Sequence, residues 1–272
     1  MSCTLKDIQN KEYEILKELD RICEKHGIKY YLAQGTLIGA ARHKGFIPWD
    51  DDIDVILYHK DLKKLIEIYD SEADEKYILT NYKREKHFPL TWTKIREKNT
   101  LSRPKTYKDI PINWGICIDL FQVYPISNNK FFRKAEIFFF KFARKMLMAE
   151  MTKYEKNHNF IIRFLEKIPI SLRHFVLNLS LKIFSLHNDN TEYVYMMCKE
   201  GRLIKRECIF GEEKKLQFEN SEFPVPSDYH TFLTEGYGDY MTMPPESEQG
   251  GHDLRMGDIE WSCDVIGDNI IV

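Results

Sequence analysis

His43-Lys44-Gly45-Phe46-Ile47-Pro48-Trp49-Asp50-Asp51-Asp52-Ile53-Asp54 places four carboxylates within five residues, directly ahead of the apolar segment Val55-Ile56-Leu57. Like charges at this density repel one another unless a cation sits between them, and hard oxygen ligands suit Mg²⁺, Mn²⁺ or Ca²⁺. On a strand, side chains at i and i+2 share a face, so Asp52 and Asp54 can grip one ion together. Asp51 then points the other way, and Asp50 sits in the turn after Pro48-Trp49. The competing reading is a solvated acidic turn.

Upstream, Leu5 to His26 reads as an amphipathic helix. Leu5, Ile8, Ile15, Leu16, Leu19, Ile22 and Cys23 fall on one stripe, Thr4 with Asp7 resembles a capping box, and Gly27 is a stop signal. Lys29 to Ala33 is a predicted strand leading into Gln34-Gly35-Thr36-Leu37-Ile38-Gly39-Ala40-Ala41-Arg42, a glycine turn opening a short helix. Free N–H groups at such a helix start suit phosphate, although the same pattern is often purely structural. Downstream come a strand at Ile53 to Leu57, a helix at Lys60 to Tyr69, an alternating strand at Leu90 to Arg96, and an apolar strand at Gly115 to Phe121 with Asp119 inside it. This order predicts an α/β (α+β) fold built on a mixed sheet flanked by helices.

From Lys130 to His187 the chain changes character. Twelve Lys/Arg stand against four Asp/Glu, a local balance of +8 in a chain whose net charge is −2, which leaves about −10 for the rest. The segment is helical, basic and aromatic. Arg133, Lys134, Lys141, Arg144 and Lys145 fall within an arc of about 120° on an ideal helix, while Phe131, Phe138, Phe139, Phe142 and Met146 line much of the remainder. It reads either as a helical cap with solvated charges or as an interfacial element against an anionic membrane. Three parts follow: a catalytic core over 1–128, the basic helical insertion over 129–190, and a segment over 191–272, loop-rich in its last 55 residues, that completes the active-site face.

At 272 residues with 43% apolar content, a packed core is well supported, and the near-neutral net charge gives no reason to expect nucleic acid. The six cysteines are scattered without a Cys-x-x-Cys pair, which argues against zinc and for small core hydrophobes. With no apolar leader and no run near the roughly 20 apolar residues of a membrane span, the chain reads as reduced and cytoplasmic, with peripheral contact at the inner face of the cell membrane open to the basic segment.

Two carboxylates on one strand, a third acid on a neighbour and an adjacent Gly-Thr element form the layout of nucleotidyltransferase-fold enzymes. Tyr30 to Asp54, YYLAQGTLIGAARHKGFIPWDDDID, also resembles the hallmark of the LicD family, the phosphocholine transferases of bacterial surface glycans, which are related to fukutin and fukutin-related protein. Further blocks are similar in order: Lys94-Ile95-Arg96 with Thr100, then Ile118-Asp119-Leu120-Phe121, then Phe218 through Tyr237-Gly238-Asp239-Tyr240 and Pro244-Pro245-Glu246 to His252. Gln34 departs from the small residue usual before Gly35-Thr36, and Gln122-Val123-Tyr124-Pro125 replaces the Pro and acid that often follow the third block.

The resemblance implies metal-dependent transfer of phosphocholine, or a related phospho-alcohol, from CDP-choline or another CDP-alcohol. The acceptor is a hydroxyl of a surface glycan (teichoic acid, lipopolysaccharide or capsule), lipid-linked in some settings, and CMP is released. Asp52 and Asp54 hold Mg²⁺ or Mn²⁺, and Asp119 ligates the metal or takes the acceptor proton. Gly35, Thr36, Arg42, Lys44, Lys94, Arg96 and His252 are the substrate-binding candidates. Trp49, Trp114 and Tyr237 are weaker candidates for caging a quaternary ammonium. The alternatives are nucleotidyl transfer, with NMP placed on a sugar or small molecule, and a non-catalytic metal- or glycan-binding module.

Overall fold

The computed structural model describes residues 3–155, 164–250 and 259–264. Helix α1 (Leu5–His26) buries Ile8, Ile15, Leu16, Leu19 and Ile22 along its predicted stripe. Its capping box is real: the Thr4 side chain accepts from the Asp7 N–H, and the Asp7 carboxylate accepts from the Thr4 N–H at 2.9 Å. Gly27 ends the helix in the left-handed conformation, φ 60°, which glycine adopts without strain.

The elements that follow are β1 (Tyr30–Leu32), α2 (Gln34–His43), β2 (Asp54–Tyr58), α3 (His59–Glu72), β3 (Tyr77–Thr80), β4 (Thr93–Glu97), β5 (Leu101–Pro104) and β6 (Cys117–Pro125). Next come α4 (Lys130–Thr152), α5 (Ile170–Ser185), β7 (Tyr193–Met196), β8 (Arg202–Lys205) and α6 (Arg206–Ile209). The chain continues through β9 (Lys214–Phe218), β10 (Ser221–Val225), α7 (Tyr229–Tyr237) and β11 (Ile259–Ser262).

The fold is mixed α/β. Its main sheet runs β1-β2-β6-β4-β3, with β7 on β6 and β8 on β7. The pair β2–β6 is parallel and the other pairs are antiparallel. Strand β6 is the spine: one edge takes β2, and the other takes β4 over its first half and β7 over its last residues. Fully buried Ile56, Leu57, Ile95, Ile118, Leu120 and Val123 place the core on this sheet.

Several elements differ from the sequence reading. Gly35 and Thr36 lie inside the first turn of α2, not on a turn ahead of it. The strand expected from Leu90 begins only at Thr93. The C-terminal segment supplies β7 and β8 to the main sheet and the β9–β10 hairpin, and its last 55 residues, expected to be loop-rich, carry β10, α7 and β11. In that hairpin Phe218 and Phe223 pack on Phe46 and Tyr13, binding it to α1 and to the turn ahead of the acids. Cys23, Cys198 and Cys208 are buried, as expected of core cysteines. Cys3 and Cys263 instead form a disulfide with Cα atoms 5.6 Å apart, beside β11, which pairs with β5. The scattered spacing concealed this pair because its members stand 260 residues apart.

Helices α4 and α5 form an antiparallel hairpin. Buried Arg173 meets Glu150 at one end, and His187 meets Glu136 at the other. Among the described residues no helix is long and apolar enough to cross a membrane.

The turn that carries the acids is set by close backbone approach. A Cβ on Gly39 would lie 2.4 Å from the Gly45 carbonyl oxygen. Gly39→Ala is expected to displace the His43–Gly45 turn and cost about 1–3 kcal/mol, read as a lowered urea midpoint. An unchanged midpoint would show that the turn does not depend on this contact.

Candidate active site

Parallel pairing of β2 with β6 sets Asp54 in register with Asp119, on strands roughly 4.8 Å apart. On the other edge of β6, Lys94 is in register with Asp119. An acid, an acid and a cation therefore lie in a row across three strands. Lys94 Nζ is 2.5 Å from Asp119 Oδ1, and the Trp92 indole N–H donates to Asp119 Oδ2 at 2.9 Å. Burial pulls the Lys94 ammonium down, but the Asp119 carboxylate outweighs it and lifts the group above its ordinary value, so Lys94 stays charged.

The acidic run enters β2 under tight backbone control. The Asp54 N–H donates to Thr36 Oγ1 at 2.8 Å, the Ala33 N–H donates to the Asp54 carbonyl at 2.9 Å, and Gln9 Nε2 donates to the Asp50 carbonyl at 2.9 Å. Gly35 leaves room for the Asp50 carboxylate, since a Cβ there would lie 2.6 Å from its Oδ2. Burial and the neighbouring Asp52 and Asp51 carboxylates push Asp50 up to about 8. Burial, then Asp52 and Asp119, hold Asp54 well above the usual carboxylate range.

Glu12 joins them from α1. It is 2% exposed, and its Oε2 has no hydrogen-bond partner among the described residues. Burial, followed by Asp52, raises its carboxyl well above its ordinary value. Sequence reasoning missed it, although the signal was present: Glu12 sits on the apolar stripe between Ile8 and Leu16, where an acid is costly.

The C-terminal half reaches the same place. Gln34, at φ 50°, accepts from the Tyr237 hydroxyl at 2.9 Å and from Arg202 Nη1 at 3.4 Å. Arg202 also donates to the Phe232 carbonyl at 2.8 Å, and its guanidinium lies 4.7 Å from the Phe232 ring. Burial raises the Tyr237 phenol, and the nearby Asp54 carboxylate adds to the effect. Arg202 and Trp92 also escaped the sequence reading. Nothing local distinguishes Arg202 from any cation at a strand start, and Trp92 lay in a stretch read only for its alternation.

Arg42 donates to the carbonyls of Tyr240 at 2.7 Å and Thr242 at 3.2 Å, tying down the loop after α7. Lys44 is exposed at the left-handed C-cap of α2, and its carbonyl accepts from the Glu219 N–H at 2.8 Å. Arg96 is buried, donates to Thr80 Oγ1 and the Gly115 carbonyl, and lies 5.8 Å from the Trp114 ring, so period-two alternation puts it beside Lys94 without bringing it to the acids. Of the three aromatics, Tyr237 alone is drawn to the acids; Trp114 faces Arg96 and Trp49 packs against the main core. His252 lies outside the described residues. A cavity of about 420 Å³ between α3, α5 and the sheet is lined by Thr91, Thr93 and Gln122 rather than by the acids. Thr91 and Thr93 alternate with Trp92 and Lys94 along the chain, so this cavity belongs to the opposite face.

With this geometry in view, a family model described as LicD/FKTN/FKRP, nucleotidyltransferase domain, matches residues 27–177, which include the acid run, β4 and β6. The lipopolysaccharide cholinephosphotransferase LicD of Haemophilus influenzae is 30% identical over 267 residues, covering 93% of this chain and 97% of that protein. Ribitol 5-phosphate transferase FKRP of Homo sapiens is 40% identical over a 52-residue stretch, 19% of this chain and 10% of that protein. The model spans more than half of the chain and the Haemophilus relative nearly all of it: the chain belongs to the LicD family.

Proposed function

We propose that this protein is a phosphotransferase that moves a phospho-alcohol, phosphocholine being the leading candidate, from a CDP-alcohol to a glycan hydroxyl. The carrying observation is the in-register row Asp54–Asp119–Lys94 beside the acidic run. The similar proteins support the reaction class, since one is named a cholinephosphotransferase and the other a ribitol 5-phosphate transferase.

The donor set is all hard oxygen, which fits Mg²⁺ or Mn²⁺. Among the described residues no three His, Cys, Asp or Glu side chains are arranged to hold an ion by themselves. Asp119 has an oxygen committed to each of Lys94 and Trp92. The set that fits is therefore Asp52 and Asp54, with phosphate oxygens and water completing the shell, as Mg²⁺ commonly prefers. When bound, such an ion neutralises charge on the diphosphate oxygens.

The protein's own groups do the rest. A carboxylate has more lone pairs than Lys94 and Trp92 use, so Asp119 can accept the proton of an acceptor hydroxyl. The hydroxyl oxygen forms a bond to the phosphorus carrying the alcohol, the bond from that phosphorus to the bridging oxygen breaks, and CMP departs with the electron pair. Lys94 holds Asp119 in place and supplies positive charge near the phosphoryl oxygens, and Arg202 adds a guanidinium at the Tyr237 side. Thr36 accepts from the Asp54 N–H and keeps its own proton to donate.

Incubation with a panel of CDP-alcohols, Mg²⁺ and glycan acceptors is expected to release CMP; pyrophosphate release from an NTP would indicate nucleotidyl transfer instead. Asp52→Asn and Asp54→Asn should each lower turnover at least about a hundredfold. Asp119→Asn should lose rate while donor binding, measured by calorimetry, survives. Full turnover in any of the three would refute its assigned role.

The raised carboxyls make a second, independent prediction. A carboxyl whose pKa is higher in the folded than in the unfolded protein binds its proton more tightly when folded, so its contribution favours folding at low pH and is lost as pH rises toward the folded value. With Asp50 at about 8 and Asp54 and Glu12 also raised, the metal-free protein should melt at progressively lower temperature between about pH 5 and 8. Added Mg²⁺ should raise the melting temperature more at pH 8 than at pH 5. A pH-independent Mg²⁺ effect would count against the acids as its site.

A further inference from the structure

Among the described residues, nine of the thirteen large exposed hydrophobic side chains lie on α4, on α5 or close to their ends. On α4, Phe131, Phe138 and Phe142 are 75%, 76% and 45% exposed, and their spacing places them within about 40° of one another around the helix. On α5 and its C-cap, Leu172, Phe175, Leu179 and Leu186 form a second exposed stripe. The core of the hairpin needs none of them: Phe140, Ala143, Leu147, Leu177, Leu181 and Phe184 fill it.

Charge on the same surface has one sign. Lys130, Lys134, Lys141 and Lys145 lie on α4 next to the phenylalanine stripe, and Lys182 lies on α5; all are exposed, and none has an acidic partner among the described residues. The four acids of the segment are all engaged: Glu136 by His187, Glu150 by Arg173, Lys153 and His87, Glu155 by the Tyr107 hydroxyl and Glu166 by the Thr152 hydroxyl. Acids turned inward and lysines left outside make a surface that is both apolar and positive.

We propose that the α4–α5 hairpin docks this protein on an anionic membrane surface, with the phenylalanines inserted among the acyl chains and the lysines at the anionic headgroups. Helices with apolar stripes fringed by Lys lie in the interface plane rather than across it. A second copy of this chain is a poorer occupant, because a two-fold contact would oppose one lysine fringe to its symmetry mate. The surface also fits the proposed acceptor, since a lipid-linked glycan would be presented at such a membrane. Docking itself does not depend on the identity of the donor.

The test is flotation of the full-length protein with vesicles of phosphatidylcholine alone and with added phosphatidylglycerol, at low and high salt. The wild-type chain should float with anionic vesicles and bind neutral ones at least about tenfold more weakly, with the difference reduced by salt. The triple variant Phe131→Ser/Phe138→Ser/Phe142→Ser should lose at least about tenfold in partitioning, and Lys134→Glu/Lys141→Glu/Lys145→Glu should lose the anionic preference. Both should keep wild-type circular dichroism and wild-type CMP release with a soluble acceptor, because the altered side chains are exposed and lie outside the acidic site. A wild-type protein that stays with neither vesicle, or variants that float as well as wild type, would overturn the proposal. So would a wild-type dimer that the phenylalanine variant converts to monomer, since the stripe would then be an interface between copies. If vesicles bind but no CDP-alcohol is turned over, docking stands and the proposed reaction falls.

Discussion

Parallel pairing of β2 with β6 is the constraint on which the site depends. Register in a parallel pair is all or nothing: a slip of one residue would turn Asp119 to the opposite face and bury it among the apolar residues that cover Ile118 and Leu120. The row Asp54–Asp119–Lys94 also requires β4 to lie on the other edge of β6 in its own fixed register. The central strand thus serves two purposes at once. Its alternate residues Ile118, Leu120 and Gln122 face one layer, and Cys117, Asp119 and Phe121 face the other.

Holding the acids in place falls to the elements around that pair. The α1 helix supplies Gln9, which fixes the Asp50 carbonyl, and Glu12, which is buried beside the same acids. The α2 helix supplies Gly35, against which Asp50 packs, and Thr36, which fixes the Asp54 N–H. The C-terminal half adds Arg202 and Tyr237 through their shared partner Gln34. Residues distant in sequence therefore meet through one backbone carbonyl, one helix turn and one amide side chain. The unusual Gln34, a departure from the family pattern, has a local purpose: its amide oxygen joins the C-terminal half to the start of α2.

Where a residue's signal was local, the sequence revealed it. The capping box at Thr4, the stop at Gly27 and the lone acid in an apolar strand report on their own neighbourhoods and sit where their patterns placed them, whereas the acid run joins its strand only at Asp54 and leaves Asp52 ahead of β2 rather than on it. Long-range pairing was another matter. The docking of β7 on β6 and the Cys3–Cys263 disulfide exist because distant segments meet, and no window of sequence records the meeting. Arg42 and Arg96 show the same limit from the opposite side. Both sit next to residues of the site in sequence, yet Arg42 spends its donors on carbonyls after α7 and Arg96 on Thr80 and Gly115. A guanidinium near a motif is informative only once its hydrogen bonds are counted.

The charge balance of the site constrains how a donor can enter. Glu12, Asp50, Asp51, Asp52, Asp54 and Asp119 bring six carboxyls together, and the cation paired among them is Lys94, while Arg202 reaches no further than Gln34. Protons offset part of the excess at Asp50, Asp54 and Glu12, which burial and mutual repulsion keep protonated more readily than free carboxyls. A diphosphate brings still more negative charge into the same space. On the proposed reading, such a donor would enter with a divalent cation as its counterion, and the protons on these carboxyls would be displaced as the cation binds. Cation and donor would then bind cooperatively by electrostatic necessity, without any conformational switch.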